Sequence, residues 1–191
     1  MKKINDMIEI ISGSPQFRIN EVIDNIAPRY TYYSQSEIDS DLVDLDLSKG
    51  EERKVRTFDN VITVKNQDIV FSLVSGKASL VRKLHQGYLL TQNYLKLNLN
   101  EQVNAKYLIY LLNEDSSIRR QLQIGLQGST VLKYTLKQVK EIELPDMPLL
   151  AKQELIGEIY FNQLRLQALQ EQASQLETQI VLEKIKRNKY Q

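Results

Sequence analysis

From Pro148 to about Arg187 nothing interrupts an α-helical pattern, and this stretch constrains the chain more than any other. Proline suits the first turn of a helix, where its missing N–H has no partner in any case. No proline follows, and Gly157 is the one weak position, costing about 1 kcal/mol relative to alanine. Apolar side chains fall on a four-three seam: Leu155, Ile159, Leu166, Leu169, Ala173, Leu176 and Ile180, with Asn162 as its polar member. Such spacing over nearly four heptads is that of a coiled coil. About 40 residues at ~1.5 Å each make a rod of roughly 60 Å. A rod with an apolar stripe must fold back on its own domain or pair with another helix. The preceding residues are too few to cover it, so pairing is expected.

The seam also bears on direction. In an antiparallel pair of identical rods, Leu155 can face Ile180, Ile159 face Leu176, Asn162 face Ala173, and Leu166 face Leu169. Every large apolar residue then meets another, and the asparagine meets the smallest. A parallel pair would also bury the stripe, setting Asn162 against itself, a known way to fix register. The antiparallel arrangement is the expectation.

The 191 residues fit one ordinary domain plus this appendage. With 42% hydrophobic and 26% charged residues, the composition is that of a soluble globular protein with enough apolar side chain for a core. No apolar run approaches a membrane span. Asn5, Asp6 and Glu9 interrupt any apolar core of a leader, so no targeting segment is read and a cytoplasmic location is expected. The chain has no cysteine and one histidine, His85, which removes disulfides, thiolate nucleophiles and multi-histidine metal sites within one chain.

The net charge of +1 argues mildly against nucleic acid, but charge is segregated. Residues 37–46 carry Glu37, Asp39, Asp41, Asp44 and Asp46 without a base; residues 49–83 carry Lys49, Arg53, Lys54, Arg56, Lys65, Lys77, Arg82 and Lys83. Both runs read as solvated surfaces. His85, between Lys83 and Gly87, reads as a surface residue in a hairpin turn, and Tyr30, Tyr32 and Tyr33 as half-buried strand packing.

Before residue 146, short apolar segments alternate with turn signals. Ile69-Val-Phe-Ser-Leu-Val74, stopped by Ser75-Gly76, reads as a buried strand. Residues 78–81, 88–90 and 94–99 read as further strands. Apolar residues at three-four spacing predict helices over about 104–113 and 115–123. Residues 135–140 predict a short helix capped by Thr135, and 141–145 an edge strand closed by Pro145. The fold class is α+β: a mixed domain over 1–146, then one long helix over 147–191.

Three stretches resemble the specificity subunits of type I restriction–modification enzymes. Gln67-Asp-Ile-Val-Phe-Ser72 resembles the family's strand of form GDIV-x-S, with Gln67 where glycine is usual. Leu90-Thr-Gln-Asn-Tyr-Leu-Lys-Leu97 followed by Tyr107–Leu112 resembles its strand-then-helix segment. Gly128-Ser-Thr, then Ile142-Glu-Leu-Pro145, then Pro148-Leu-Leu-Ala-Lys-Gln153 resembles the run that opens its long helix. Each motif alone is weak; their order and spacing are specific. Family members usually carry two recognition domains and two long helices, so this chain resembles a half-length form, and two copies would rebuild the object as a two-fold dimer.

The resemblance implies a chain without catalysis of its own. Its domain would read one half of a split target in double-stranded DNA. Its helix would act as spacer and docking rod for methyltransferase subunits carrying S-adenosylmethionine, with cleavage left to a motor and nuclease subunit. Side chains that read bases and hold phosphates nominate Gln127, Gly128, Ser129, Thr130 and Lys133, then Ser75, Gly76 and Lys77, then Arg53, Lys54 and Arg56 as DNA contacts. Two other readings keep the fold: a decoy that docks the methyltransferase without reading DNA, and a stand-alone dimeric DNA-binding regulator.

Overall fold

The computed structural model describes residues 2–47, 51–100, 102–125 and 133–189. In chain order its elements are β1 (Lys2–Lys3), β2 (Ile8–Ser12), β3 (Arg29–Thr31), α1 (Gln35–Val43), β4 (Lys54–Arg56), β5 (Ile69–Ser72) and β6 (Ala78–Leu80). There follow β7 (Tyr94–Leu99), α2 (Ala105–Glu114), α3 (Ser116–Ile124), α4 (Leu136–Lys140), β8 (Glu143–Leu144) and α5 (Leu150–Lys189). This is the expected α+β arrangement with a long C-terminal helix.

The central sheet is antiparallel throughout, in the order β2-β7-β5-β6. One of its two inner strands, β5, is the β-branched run, and all four of its residues are buried. Such a strand is apolar on both faces because both are covered. On one side Ile69 and Phe71 meet Leu108, Ile109 and Leu112 of α2 in the main core. On the other, Val70 packs with Tyr33, Ile38 and Leu90. Two small ribbons flank the sheet, β3 with β4 and β1 with β8. Gln67, where the family's strand usually has glycine, sits at φ 70°, the left-handed region that favours glycine.

The predicted helices form with their caps. Asn104 accepts from Tyr107 N at 3.0 Å, Asp115 from Ser117 N and Ile118 N at 3.0 Å, and Thr135 from Gln138 N at 3.2 Å. One strand expectation fails. Residues 88–90 form no strand and pair only through isolated bridges of Leu89 to Tyr32 and Thr63. The acidic run is also not a solvated surface. Its first half folds as α1, where Glu37 and Asp41 are buried. Asp41 accepts from Tyr33 Oη at 2.8 Å, Arg82 Nε at 3.0 Å and His85 Nδ1 at 2.7 Å. His85 is therefore buried as well, and its expected surface position is corrected. Burial and Asp41 together push the Tyr33 hydroxyl well above its usual pKa, so it stays protonated and donates.

The first half of α5 lies on the domain. Ile156, Tyr160, Phe161 and Leu164 pack against the main core. Gln153, though polar, is buried: its Oε1 accepts from Asn104 N at 2.9 Å, and its Nε2 donates to Pro148 O at 2.9 Å. It ties the start of α5 to the cap of α2. A turn later Gly157 lets the two helices touch, since a Cβ there would lie 2.6 Å from Lys106 Cβ and 2.9 Å from Tyr107 N. Lys106–Glu158 at 2.7 Å and Arg165–Asp44 at 2.6 Å flank the contact. Gly157→Ala should lower the melting temperature despite alanine's better helix propensity. Separating α5 from α2 costs about 1–3 kcal/mol, against about 1 kcal/mol gained in propensity. Thermal denaturation checks this, and a raised midpoint would refute the close-packing role.

The opposite face of α5 is the predicted seam. Leu155, Ile159, Leu166, Leu169, Leu176 and Ile180 are exposed, as are Asn162 and Ala173. From Leu169 to Asn188 the helix is exposed on all sides. The domain covers one side of the rod and leaves the coiled-coil stripe without a partner among the described residues.

Candidate nucleic-acid interface

The candidate DNA contacts separate into two clefts. The first is about 300 Å³ and is lined by Gln16, Tyr32, Tyr33, Arg53, Asn93 and Tyr94, among others. Ribbon β3–β4 brings Tyr32 beside Arg53 through the Tyr32 N to Arg53 O bond of 2.9 Å. The Arg53 guanidinium stands over the Tyr32 ring, 5.0 Å from its centroid. With its amide turned oxygen-inward, Gln16 accepts from both terminal nitrogens of Arg53, at 3.1 and 2.9 Å. Stacking and hydrogen bonding together hold the plane of this cation. Lys133 reaches the same cleft, donating to Asn93 Oδ1 at 2.6 Å.

Acidic neighbours shape the rim. Lys54 pairs with Glu52 at 2.8 Å, and Tyr88 Oη donates to Glu52 at 2.6 Å. These bonds, that from Lys54 first, lower the Glu52 pKa. Tyr94 is pushed up to about 12 by burial and by Glu37 and Asp39. Arg56 is committed elsewhere: it donates to Asn25 O at 3.1 Å and Ala27 O at 3.0 Å, clamping the segment that precedes β3.

The second cleft, about 180 Å³, holds Ser75, Gly76 and Lys77 at the β5–β6 turn, with Arg119, Tyr134 and Tyr160. Gly76 sits at φ 70°, and a Cβ there would strike the Tyr134 ring at 2.6 Å. Lys77 Nζ lies 3.5 Å from Asp39. Tyr134 N donates to Leu73 O at 2.8 Å, so residues 133–134 bridge the two clefts. Gln127, Gly128, Ser129 and Thr130 lie outside the described residues.

Sequence reasoning thus named Arg53 and Lys133 but missed Gln16 and Asn93, and read Tyr32 as packing. Gln16 lies in the first turn signal and Asn93 in a loop, and neither has a local pattern that marks it. Only the cation–aromatic pairing of Tyr32 with Arg53 had a signal, a tyrosine cluster and a basic run of like spacing. Among the described residues, no three His, Asp or Glu side chains gather to hold a metal ion, and no helix is long and apolar enough to cross a membrane.

A profile of the type I restriction modification DNA specificity domain matches residues 1–179. The chain belongs to that family. Solved structures share the fold of this specificity domain. An HsdS subunit from Thermoanaerobacter tengcongensis superposes with TM-score 0.58 at 13% identity, over 91% of this chain and 38% of that one. The S subunit of a type I system from M. genitalium gives 0.51 at 19% identity, over 95% and 41%. A chain from a structure addressing complex assembly and conformational transition of the type I R-M system gives 0.65 at 14% identity, over 93% and 45%. The specificity domain described here therefore spans under half the length of the structures it matches. A search of curated protein sequences gives no match.

Proposed function

We propose that this chain is a DNA-reading subunit of a type I restriction–modification complex that works as an antiparallel homodimer in the cytoplasm. Residues 1–146 read one half-site and residues 147–191 form the spacer. The observation that carries the reading is the family match over 1–179, joined to a rod whose apolar seam has no partner among the described residues. The 40 residues of α5 make a rod of about 60 Å. A DNA turn is about 34–36 Å, so the rod is long enough to hold two domains one to one-and-a-half turns apart. Methyl transfer falls to methyltransferase subunits docked on the rod and to their S-adenosylmethionine, and cleavage to a motor and nuclease subunit.

At each end the Arg53 cleft is the base-reading candidate. A guanidinium held flat by Tyr32 and Gln16 matches the paired acceptors O6 and N7 of guanine in the major groove. Ser75, Gly76, Lys77, Lys54 and Lys133 then serve as phosphate and positioning contacts. Arg56, tied to backbone carbonyls, supports the ribbon that presents them.

Selection from a randomised duplex pool tests the reading, using the full chain with type I methyltransferase subunits. It should enrich two inverted copies of one half-site at a fixed separation. Arg53→Ala should then lose about 1–3 kcal/mol on the selected DNA and little on random DNA. Failure to enrich any sequence overturns the function. Equal loss on both DNAs makes Arg53 a phosphate contact.

A further inference from the structure

The exposed stripe of α5 pairs Leu155 with Ile180, Ile159 with Leu176, Asn162 with Ala173 and Leu166 with Leu169 when two rods run antiparallel. The four-three spacing continues one layer beyond each end. Three residues before Leu155 stands Lys152, and three residues after Ile180 stands Glu183. Both lie within α5, and both are exposed. The register that matches every large apolar residue therefore also brings Lys152 of one rod level with Glu183 of the other. By symmetry this happens at both ends of the pair.

We propose that Lys152 and Glu183 form two identical interchain ion pairs that clasp the ends of an α5–α5 dimer and select its antiparallel direction and register. The proposal rests on the homodimer reading above and names the charges that specify it. Three observations converge on it. Among the described residues, neither the Lys152 nor the Glu183 side chain has an ion-pair or hydrogen-bond partner in its own chain, whereas those of Lys106, Glu158 and Arg165 on the domain-facing side of the contact do. Lys152 occupies the first turn of α5, where the helix dipole disfavours a cation, so the stability of the isolated helix does not explain it. Finally, a parallel pair would set Lys152 against Lys152 and Glu183 against Glu183, placing like charges at both ends. Charges flanking an apolar seam commonly set partner direction in this way.

Charge reversal in the full-length chain tests the clasp, with self-association followed by sedimentation equilibrium. Lys152→Glu alone makes both ends Glu against Glu, and Glu183→Lys alone makes both Lys against Lys. Each should raise the dimer Kd about tenfold in 50 mM salt, a loss of about 1.4 kcal/mol. The double variant restores opposite charges in swapped positions and should return to within about threefold of the parent. All differences should shrink in 0.5 M salt, because exposed pairs are screened. Far-UV circular dichroism should show α5 intact, since an acid at position 152 suits the helix dipole. Unchanged single variants, as a parallel pair would give, overturn the clasp. So does a double variant no tighter than either single one. A parent chain that stays monomeric at high concentration overturns the homodimer itself, and that result is read from the parent alone.

Discussion

Replacing Asp41 by alanine should lower the unfolding free energy by about 3–5 kcal/mol, the usual cost of removing one partner from a buried charged network. The Asp41 side chain is 0% exposed. Its Oδ1 takes both Arg82 Nε at 3.0 Å and His85 Nδ1 at 2.7 Å, and its Oδ2 takes the Tyr33 hydroxyl at 2.8 Å. Without the carboxylate, the buried His85 imidazole loses its acceptor, and the largely buried Arg82 guanidinium is left with Leu45 O at 3.1 Å and Asp44 at 3.6 Å. Tyr33 keeps only Ser79, 3.2 Å away. The loss is comparable to the whole stability of a marginal domain, about 5–15 kcal/mol. Asp41→Asn keeps the shape and one acceptor, so it should cost less, about 1–3 kcal/mol. Urea unfolding measures both. The midpoint should fall in the order parent, asparagine, alanine with the slope unchanged. An alanine midpoint equal to the parent's would mean that the network adds nothing to stability. The same network anchors α1 to the strand region beside the Arg53 cleft, so the alanine variant should also lose DNA binding as it unfolds.

If the proposed homodimer forms along the seam, changing Leu166 and Leu169 together to aspartate should turn it into a monomer while leaving the domain folded. These leucines are 49% and 43% exposed in the single chain, and in the antiparallel register they meet each other at the centre of the seam. Burying a leucine fully is worth about 1.5–3 kcal/mol, so covering the exposed halves of four of them contributes roughly 3–6 kcal/mol. Four carboxylates placed in that contact add a desolvation cost. The dimer Kd should rise at least a thousandfold. The melting temperature of the domain should shift by only about 2 °C, because the faces that pack on α1 and α2 are untouched. Gln170→Asp, off the seam, serves as control. If the double variant sediments as the parent does, the stripe is not the contact. If it becomes monomeric yet still selects paired half-sites at fixed spacing, the rod is not the spacer.

The elements most legible in the sequence are those whose physics is local. The four-three spacing of α5, the β-branched run of β5, and the caps at Asn104, Asp115 and Thr135 each follow from neighbours a few residues apart. Helix α1 was not legible by periodicity, because Glu37 and Asp41 occupy its buried face and erase the apolar pattern. Its readable signal was Ser34 three residues before Glu37, whose Oε2 accepts from Ser34 N at 2.6 Å. Residues 59–64 and 88–90 have the composition of strands but lack continuous partners, and pairing is not a local property.

The sequence by itself determined the rod and its bare stripe, because helical geometry converts spacing directly into a face. Tertiary structure alone decided which charges are buried, what binds them and what holds Arg53 flat. Arg82 and His85 share one turn, but Asp41 lies 41 and 44 residues before them; Gln16, Tyr32 and Arg53 come from three separate segments, and no spacing along the chain encodes contacts between residues that meet only after the sheet has formed. The same holds for Gln153 and Gly157. Their places in the pattern were visible beforehand, but the cap they lock and the helix they admit lie about fifty residues away in the chain.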